Sequence, residues 1–448
     1  MKKFFQTLRN IWSIEELRSK ILYTLILIFI FRIGATIVLP GINPNILADT
    51  KNVKGNGLLD LINAFSGGAF NRASIFALGI MPYISASIFM QLMTVLVPQF
   101  QKMQKEGDSG RKKINQYTRY LTVAVTAVQA SAYVAYLNSI DASALIPGFK
   151  SYFWLSSVVV LTAGTLFVMW MGEKITDRGL GNGTSLIIMI GILGALPQAF
   201  FAEFSAKSTR PGFILIFIIE IAILIAIILG CILLIQGTRK IPVNYAKQIV
   251  GNRQFGGARQ FLPIKVNSAG VMPIIFAQAI MFLPTLFNLT SLASTETKQG
   301  IQRIFTDHTS IWYMLIYSFV VIGFTFLYTA LIFNPKQISD NLKQNNGFIP
   351  GVKPGQPTTD YIGAIMDKVT LPGAVLLAIV GILPGIAQLL GVTQGFSRFF
   401  GGTSLLIMVG VILDTLQQIE TQLLMRQYDG LMKSGRIQGR QTATTVQM

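Results

Sequence analysis

Long apolar runs, broken by short polar segments, set the rhythm of the chain. A helix needs about 20 residues to cross the hydrocarbon of a bilayer. Ten runs come near or exceed that length, over 21–39, 74–97, 119–137, 153–171, 184–202, 213–235, 269–289, 311–333, 371–391 and 402–424. Each is expected to be a transmembrane helix. Ahead of the second run, Leu58, Leu59, Leu61, Ile62 and Phe65 recur at helical spacing. Gly67 and Gly68 then weaken any helix passing through them. Inside the second run sits Gly79-Ile80-Met81-Pro82-Tyr83-Ile84. A proline inside a helix removes a hydrogen bond and kinks it, so a kink is expected at Pro82. The carbonyl it frees needs a neighbour, water or a cavity.

The pattern recurs. Gly270-Val271-Met272-Pro273-Ile274-Ile275 repeats the proline motif. Gly183-Thr184-Ser185-Leu186-Ile187-Ile188-Met189-Ile190-Gly191 reads almost residue for residue like Gly402-Thr403-Ser404-Leu405-Leu406-Ile407-Met408-Val409-Gly410. Matches of Leu, Ile and Met are cheap in an apolar chain, but the shared Gly-Thr-Ser and the later glycine are not. A diverged duplication would make Ile84 the counterpart of Ile275, and Ile188 that of Ile407. Four isoleucines would then converge on one axis. A repeat offset by five spans inserts its second half upside down relative to the first, an inverted repeat. The halves would be 21–202 and 213–424, joined by an external hinge loop at 203–212.

Composition narrows the class. The 448 residues are 52% hydrophobic and 12% charged, which marks a polytopic membrane protein. Residues 1–20, with Lys2, Lys3, Arg9, Arg18 and Lys20, read as an amphipathic surface helix and not as a cleaved signal. With one cysteine (Cys231) and one histidine (His308), no disulfide, zinc site or histidine-based catalysis is expected. The net charge is +18, and its distribution is uneven. The two tails and the even-numbered loops, with Arg119 at a membrane edge, hold 27 of the 37 Lys and Arg residues. That asymmetry puts both termini, including the tail 425–448, in the cytoplasm.

Two cytoplasmic loops exceed what a turn requires. Residues 236–268 carry Arg239, Lys240, Lys247, Arg253, Arg259 and Lys265 with no acidic residue. Residues 334–370 carry Lys353 inside a Pro- and Gly-rich turn cluster. Topology alone accounts for some of this charge. Docking of an acidic partner or of RNA phosphates accounts for more. Ionisable residues within the spans are Arg32, Glu220 and Asp414. Arg32 and Asp414 are expected to be structural, each satisfying the other or a backbone carbonyl, and Glu220 is expected to face an adjacent subunit.

Two function classes fit. A secondary transporter needs a midplane site with ion ligands or a titrating carboxylate, and the repeated motifs are apolar at that depth. A channel for something large and varied needs a greasy, yielding constriction, which a ring of isoleucines supplies and which resists wetting when idle. The amphipathic piece near 58–70 could then be a displaceable stopper. A membrane enzyme drops out, since no nucleophile–base pair or metal cluster is in view.

Several stretches also carry a resemblance. They include Phe31-Arg32-Ile33-Gly34, Phe65-Ser66-Gly67-Gly68-Ala69, the run Arg72 to Ile84, Lys105-Glu106-Gly107, Gly179-Leu180-Gly181-Asn182-Gly183, Val243-Asn244-Tyr245-Ala246-Lys247, Val266-Asn267-Ser268-Ala269-Gly270, Phe333-Asn334-Pro335, Asp340-Asn341-Leu342-Lys343 and Phe400 to Ile407. Together they resemble the SecY family, the central subunits of protein-conducting translocons, over nearly the whole length. The resemblance implies an all-α protein of ten transmembrane helices, in two inverted five-helix halves around an hourglass pore. By motif, the pore ring falls on Ile80, Ile84, Ile188, Ile275 and Ile407. A sixth position falls on Thr184, where many relatives are apolar. The plug spans about 58–70, with Leu58, Leu61, Ile62, Phe65, Gly67 and Gly68. A lateral gate between the second and seventh spans takes Ser87, Gln91 and Gln278. Arg239, Lys240 and Lys353 occupy positions that dock the ribosome or the SecA motor ATPase, with Lys247, Arg253 and Arg259 on the same basic surface. SecE and SecG complete a heterotrimer in the bacterial cytoplasmic membrane. Polypeptides bearing signal sequences would cross unfolded, and their apolar segments would leave sideways into lipid. No cofactor is implied, and a homo-oligomer is compatible with all of this.

Overall fold

A helix forms inside each of the ten apolar runs, and the departures from expectation lie at their ends. In this computed structural model the described residues are 12, 14–43, 63, 65–140, 150–208, 211–245, 248–250, 253–255, 259–282, 304–305 and 307–433. In chain order the helices are α1 (Glu15–Gly34), α2 (Met81–Leu96), α3 (Pro98–Lys105), α4 (Asp108–Ile140), α5 (Lys150–Arg178), α6 (Gly183–Lys207) and α7 (Phe213–Gln236). They continue with α8 (Met272–Phe282), α9 (Ile311–Ile332), α10 (Pro335–Gln344), α11 (Gln356–Leu389), α12 (Gln394–Ser397) and α13 (Gly402–Lys433). Among the described residues seven helices are long and apolar enough to cross a membrane, and α2 with α3 makes an eighth if that pair, bent by 99°, is one span. The other two expected spans are weaker by themselves. Helix α1 carries Arg18, Lys20 and Arg32, and α8 is 11 residues long.

Several boundaries differ from those expected. Helix α1 runs unbroken from Glu15 into the first apolar run, so 15–20 is not a separate surface helix; Lys20 pairs with Glu16 one turn away at 3.1 Å. The second span begins late. From Gly67 to Ile80 the backbone is a series of turns, with Ala73 at φ 48° and Gly79 at φ 55°. Those left-handed residues end any helix before Met81. Pro82 therefore sits in the first turn of α2, where its missing N–H costs nothing, and does not kink a helix from inside. The second motif is built alike: Gly270 has φ 64°, and α8 starts at Met272-Pro273. Helix α6 continues through Lys207, so 203–207 of the expected hinge are helical, and α7 starts at Phe213.

The duplication is visible in the packing. In the first half α2 packs on α4, α4 on α5, α5 on α6, and α1 on α5 and α6. In the second half α8 packs on α9, α9 on α11, α11 on α13, and α7 on α11 and α13. These are the same pairs by position. The two halves meet where α6 packs on its own counterpart α13. Both helices start at a Gly-Thr-Ser motif. For α6 the cap is Asn182, whose Oδ1 accepts from Ser185 N at 3.3 Å and from the Thr184 hydroxyl at 2.6 Å. Gln418 of α13 accepts from Gly181 N at 2.8 Å, and Thr24 of α1 accepts from Leu180 N at 3.1 Å. One apolar cluster runs through both halves.

The two large basic loops are not irregular, which the sequence reading missed. Strand β1 (Thr238–Tyr245) pairs antiparallel with β4 (Arg259–Lys265), and β2 (Gln248–Val250) pairs with β3 (Arg253–Phe255) towards the tip. From the second loop, β5 (Gly347–Phe348) adds to β1. Ile241, Val243, Ile264, Leu342, Ile349, Ile362 and Met366 form a small core beneath this sheet. The expected loop 334–370 also contains α10 and the first turns of α11.

Two expected roles are corrected. Glu220 does not face outward as a lone carboxylate. It is buried and paired with Lys207, which also binds Glu203 at 2.8 Å. Glu203 Oε2 in turn accepts from Thr393 N at 2.8 Å. Asp414 is exposed and forms none of the ion pairs among the described residues, so it does not neutralise Arg32.

Candidate functional site

The candidate ring residues lie at or near helix starts. Ile80 is the residue just before α2 and is 2% exposed. Ile188 and Ile407 are each the sixth residue of their helix and are buried. All three belong to the apolar cluster shared by the halves, and Ile84 packs against it. Ile275, the fourth residue of α8 as Ile84 is of α2, is half-buried and is not among the residues packed in or against this cluster; its neighbour Ile274 is the one inside it. Thr184 is half-buried. A Cβ on Gly172 of α5 would lie 3.0 Å from its methyl and 3.5 Å from Ile80 Cδ1, so the three approach one another. The Thr184 hydroxyl is occupied by the helix cap at Asn182, and its methyl is what faces this corner.

The candidate plug is described from Asn63 and Phe65 onward; Leu58, Leu61 and Ile62 lie outside the described residues. Phe65 is 1% exposed and joins the same cluster as Ile80, Ile188 and Ile407. Gly67 and Gly68 have φ 66° and 86°, a turn that side-chain-bearing residues rarely adopt. Ser66 Oγ accepts from Phe70 N at 3.1 Å, and the Tyr133 hydroxyl of α4 donates to Phe70 O at 2.5 Å. Beyond the turn the chain is tied down by a bridge between Val38 and Ser74.

Of the three candidate gate residues, Ser87 and Gln91 share α2. Ser87 is half-buried and Gln91 exposed. Gln91 Oε1 accepts from the Tyr328 hydroxyl of α9 at 2.9 Å. Phe276 of α8 stacks on Phe324 with centroids 5.7 Å apart and also meets Tyr328, so Tyr328 of the eighth span touches both the seventh and the second. Gln278 is on α8 with Phe276. It lines a small cavity of about 90 Å³ with His308, Tyr313, Tyr317 and Gln388. Tyr328 and the Lys207 cluster are the polar features the sequence reading missed. The spacing of Glu203 and Lys207, one helical turn apart, was the available signal.

Strands from the two basic loops share one sheet, β4-β1-β5. Arg239 and Lys240 are exposed on β1, and Lys353 is exposed beyond β5. Arg253 lies on β3, and Arg259 on β4 opposite Asn244. Lys247 lies outside the described residues. The Thr358 hydroxyl holds Lys353 O at 2.8 Å, fixing the turn that presents that lysine.

Apolar helices in two like-packed halves, meeting at an apolar cluster that includes Ile80, Ile188 and Ile407, define a polytopic membrane protein. The chain belongs to the SecY family, whose profile matches residues 74–416. It is 41% identical over 434 residues to the protein translocase subunit SecY of Streptomyces scabiei, covering 93% of this chain and 97% of that one. It is 40% identical over 457 residues to the subunit of the same name from Chlamydia muridarum, covering 97% and 99%. Among solved structures it is similar to a protein-conducting channel with TM-score 0.59 and 17% identity, covering 93% of this chain and 94% of that one. It is also similar to Sec61 of the canine ribosome–channel complex, with TM-score 0.55, 16% identity and the same coverage. These two likenesses are of fold.

Proposed function

We propose that this chain is a protein-conducting channel, which moves unfolded secretory polypeptides across the cytoplasmic membrane and releases transmembrane segments sideways into lipid. One observation carries the reading. Isoleucines from both halves, Ile80, Ile84, Ile188 and Ile407, converge with Phe65 of the plug segment in one apolar cluster. Such a constriction binds no polar substrate and yields to a chain of any composition. A transporter reading would need polar or charged ligands there.

In this reading 21–202 and 213–424 are inverted halves that open about the connection near 203–212. Ile275 and Thr184 complete the ring around an hourglass pore. Residues 58–70 form the plug, which includes Leu58, Leu61, Ile62, Phe65, Gly67 and Gly68. Ser87 and Gln91 line the lateral gate between α2 and α8, with Gln278 behind it. A signal sequence leaves the pore for lipid because this buries its apolar core. Segments of about 20 apolar residues follow it sideways, while polar ones continue across. The chain hydrolyses nothing; the SecA ATPase or the elongating ribosome drives transport. The Sec61 and Ssh1 structures it resembles are described with ribosomes. Arg239, Lys240, Lys247, Arg253, Arg259 and Lys353 would receive either partner, so both termini lie in the cytoplasm. SecE and SecG would complete the complex, alone or as a homo-oligomer of it.

The test is to loosen the ring. Ile84→Asn and Ile407→Asn should each raise resting ion leak and allow precursors with defective signals to cross. Wild-type leak and stringency in both would contradict the reading.

A further inference from the structure

Three glycines and one arginine meet where the plug segment touches α6. A Cβ on Gly191 would lie 2.6 Å from Phe65 O. A Cβ on Gly67 would lie 3.0 Å from Gly191 Cα and 2.8 Å from Arg32 Nη1. A Cβ on Gly194, one turn further along α6, would run into the Arg32 guanidinium itself. The turn's main chain therefore sits directly on the bare face of α6, and the guanidinium of α1 fills the angle between the two. Arg32 forms none of the ion pairs among the described residues, and Arg72 stands within electrostatic reach of it with the same charge. A cation at membrane depth is expensive to keep. The duplication explains Gly191 no better: a Cβ on its counterpart Gly410 would meet only a side-chain methyl, Ile235 Cδ1, at 4.0 Å.

We propose that Arg32 is a latch for the plug. Its guanidinium, wedged against Gly67 and Gly194, holds the Phe65 to Gly68 turn on α6 and biases the channel towards its closed state. The residue positions the plug and touches no translocating chain at rest. Releasing it favours plug displacement, so weaker signals suffice to open the pore. The inference rests on the channel reading and assigns its closing device.

The test uses the full chain with its accompanying subunits in vesicles of phosphatidylethanolamine and phosphatidylglycerol, in a Cys231→Ser background. Two quantities are read: chloride efflux, and labelling of Ser66→Cys by an impermeant maleimide, since Ser66 is 1% exposed at rest. Arg32→Gln and Gly194→Ala attack the latch from its two sides. Each should raise both rates roughly tenfold, and the double variant should exceed neither, because contacting residues couple. Gly191→Ala lifts the plug without touching Arg32 and should raise both rates too. If Gly191→Ala leaks while Arg32→Gln and Gly194→Ala behave as wild type, the latch is overturned and the plug stands. If all three behave as wild type, the plug reading fails and the latch with it. Additive effects in the double variant would also overturn the latch.

Discussion

Tyr328 donates its hydroxyl to Gln91, 237 positions earlier in the chain, at 2.9 Å. This bond joins the second span to the eighth, across the seam where the gate is proposed to part. Phe276 packs on Tyr328 from the seventh span, so the bond also orients the far side of the seam.

Tyr328→Phe keeps the ring and removes the bond. Polar contacts between membrane helices average about 0.6 kcal/mol, which is roughly threefold in an opening equilibrium. A precursor whose signal has a shortened apolar core should therefore be translocated about threefold faster. Equal rates with wild type would show that the bond does not restrain the gate.

Lys207 sits between Glu203 and Glu220, and all three side chains are under a tenth exposed. Replacing it by methionine leaves two carboxylates facing each other without a cation. Breaking a buried pair from one side costs about 3–5 kcal/mol. Lys207→Met should lower thermal stability in detergent sharply, and adding Glu203→Gln and Glu220→Gln should restore most of it. A small loss in the single variant would mean the cluster is hydrated and not buried.

The basic sheet separates folding from docking. Ile362 is fully buried beneath it, and Arg239 and Lys240 are exposed on it. Ile362→Asp should unfold this body and abolish binding of ribosomes to the reconstituted complex. Arg239→Glu with Lys240→Glu should leave proteolytic resistance intact and weaken binding. If these side chains bind RNA phosphates, the slope of log affinity against log salt should fall by about 1 for each phosphate no longer bound. Unchanged ribosome affinity in the double charge variant would remove these residues from the docking surface.

Much of this architecture was legible in the chain. Ten apolar runs give a helix each, because hydrophobic length is a strong signal in a bilayer. The paired motifs at Gly79 and Gly270, and at Gly183 and Gly402, mark helix starts that the two halves share. Other features were hidden for physical reasons. Pro82 inside an apolar run reads as a kink, but the left-handed backbone at Ala73 and Gly79 makes it a beginning. The β1–β4 ribbon lies in a loop whose charges outweigh its alternation, so Ile241 and Val243 did not announce a buried face. The partner of Glu220 sits on another helix, where periodicity cannot reach it. Gln278 shares a helix with Phe276 yet lines a cavity with His308 and Tyr313, residues that its spacing from Phe276 does not point to.

The central claim is that polypeptide passes through the isoleucine ring, and a disulfide tests it most directly. In a Cys231→Ser background, Ile84→Cys supplies the only thiol of this chain. A secretory precursor with one cysteine midway through its mature region is stalled during transport. A crosslink that forms only when the precursor carries its signal sequence is the expected result. No crosslink from Ile84→Cys, Ile275→Cys or Ile407→Cys, with stalling verified, would contradict the channel and favour a small substrate held between the two halves.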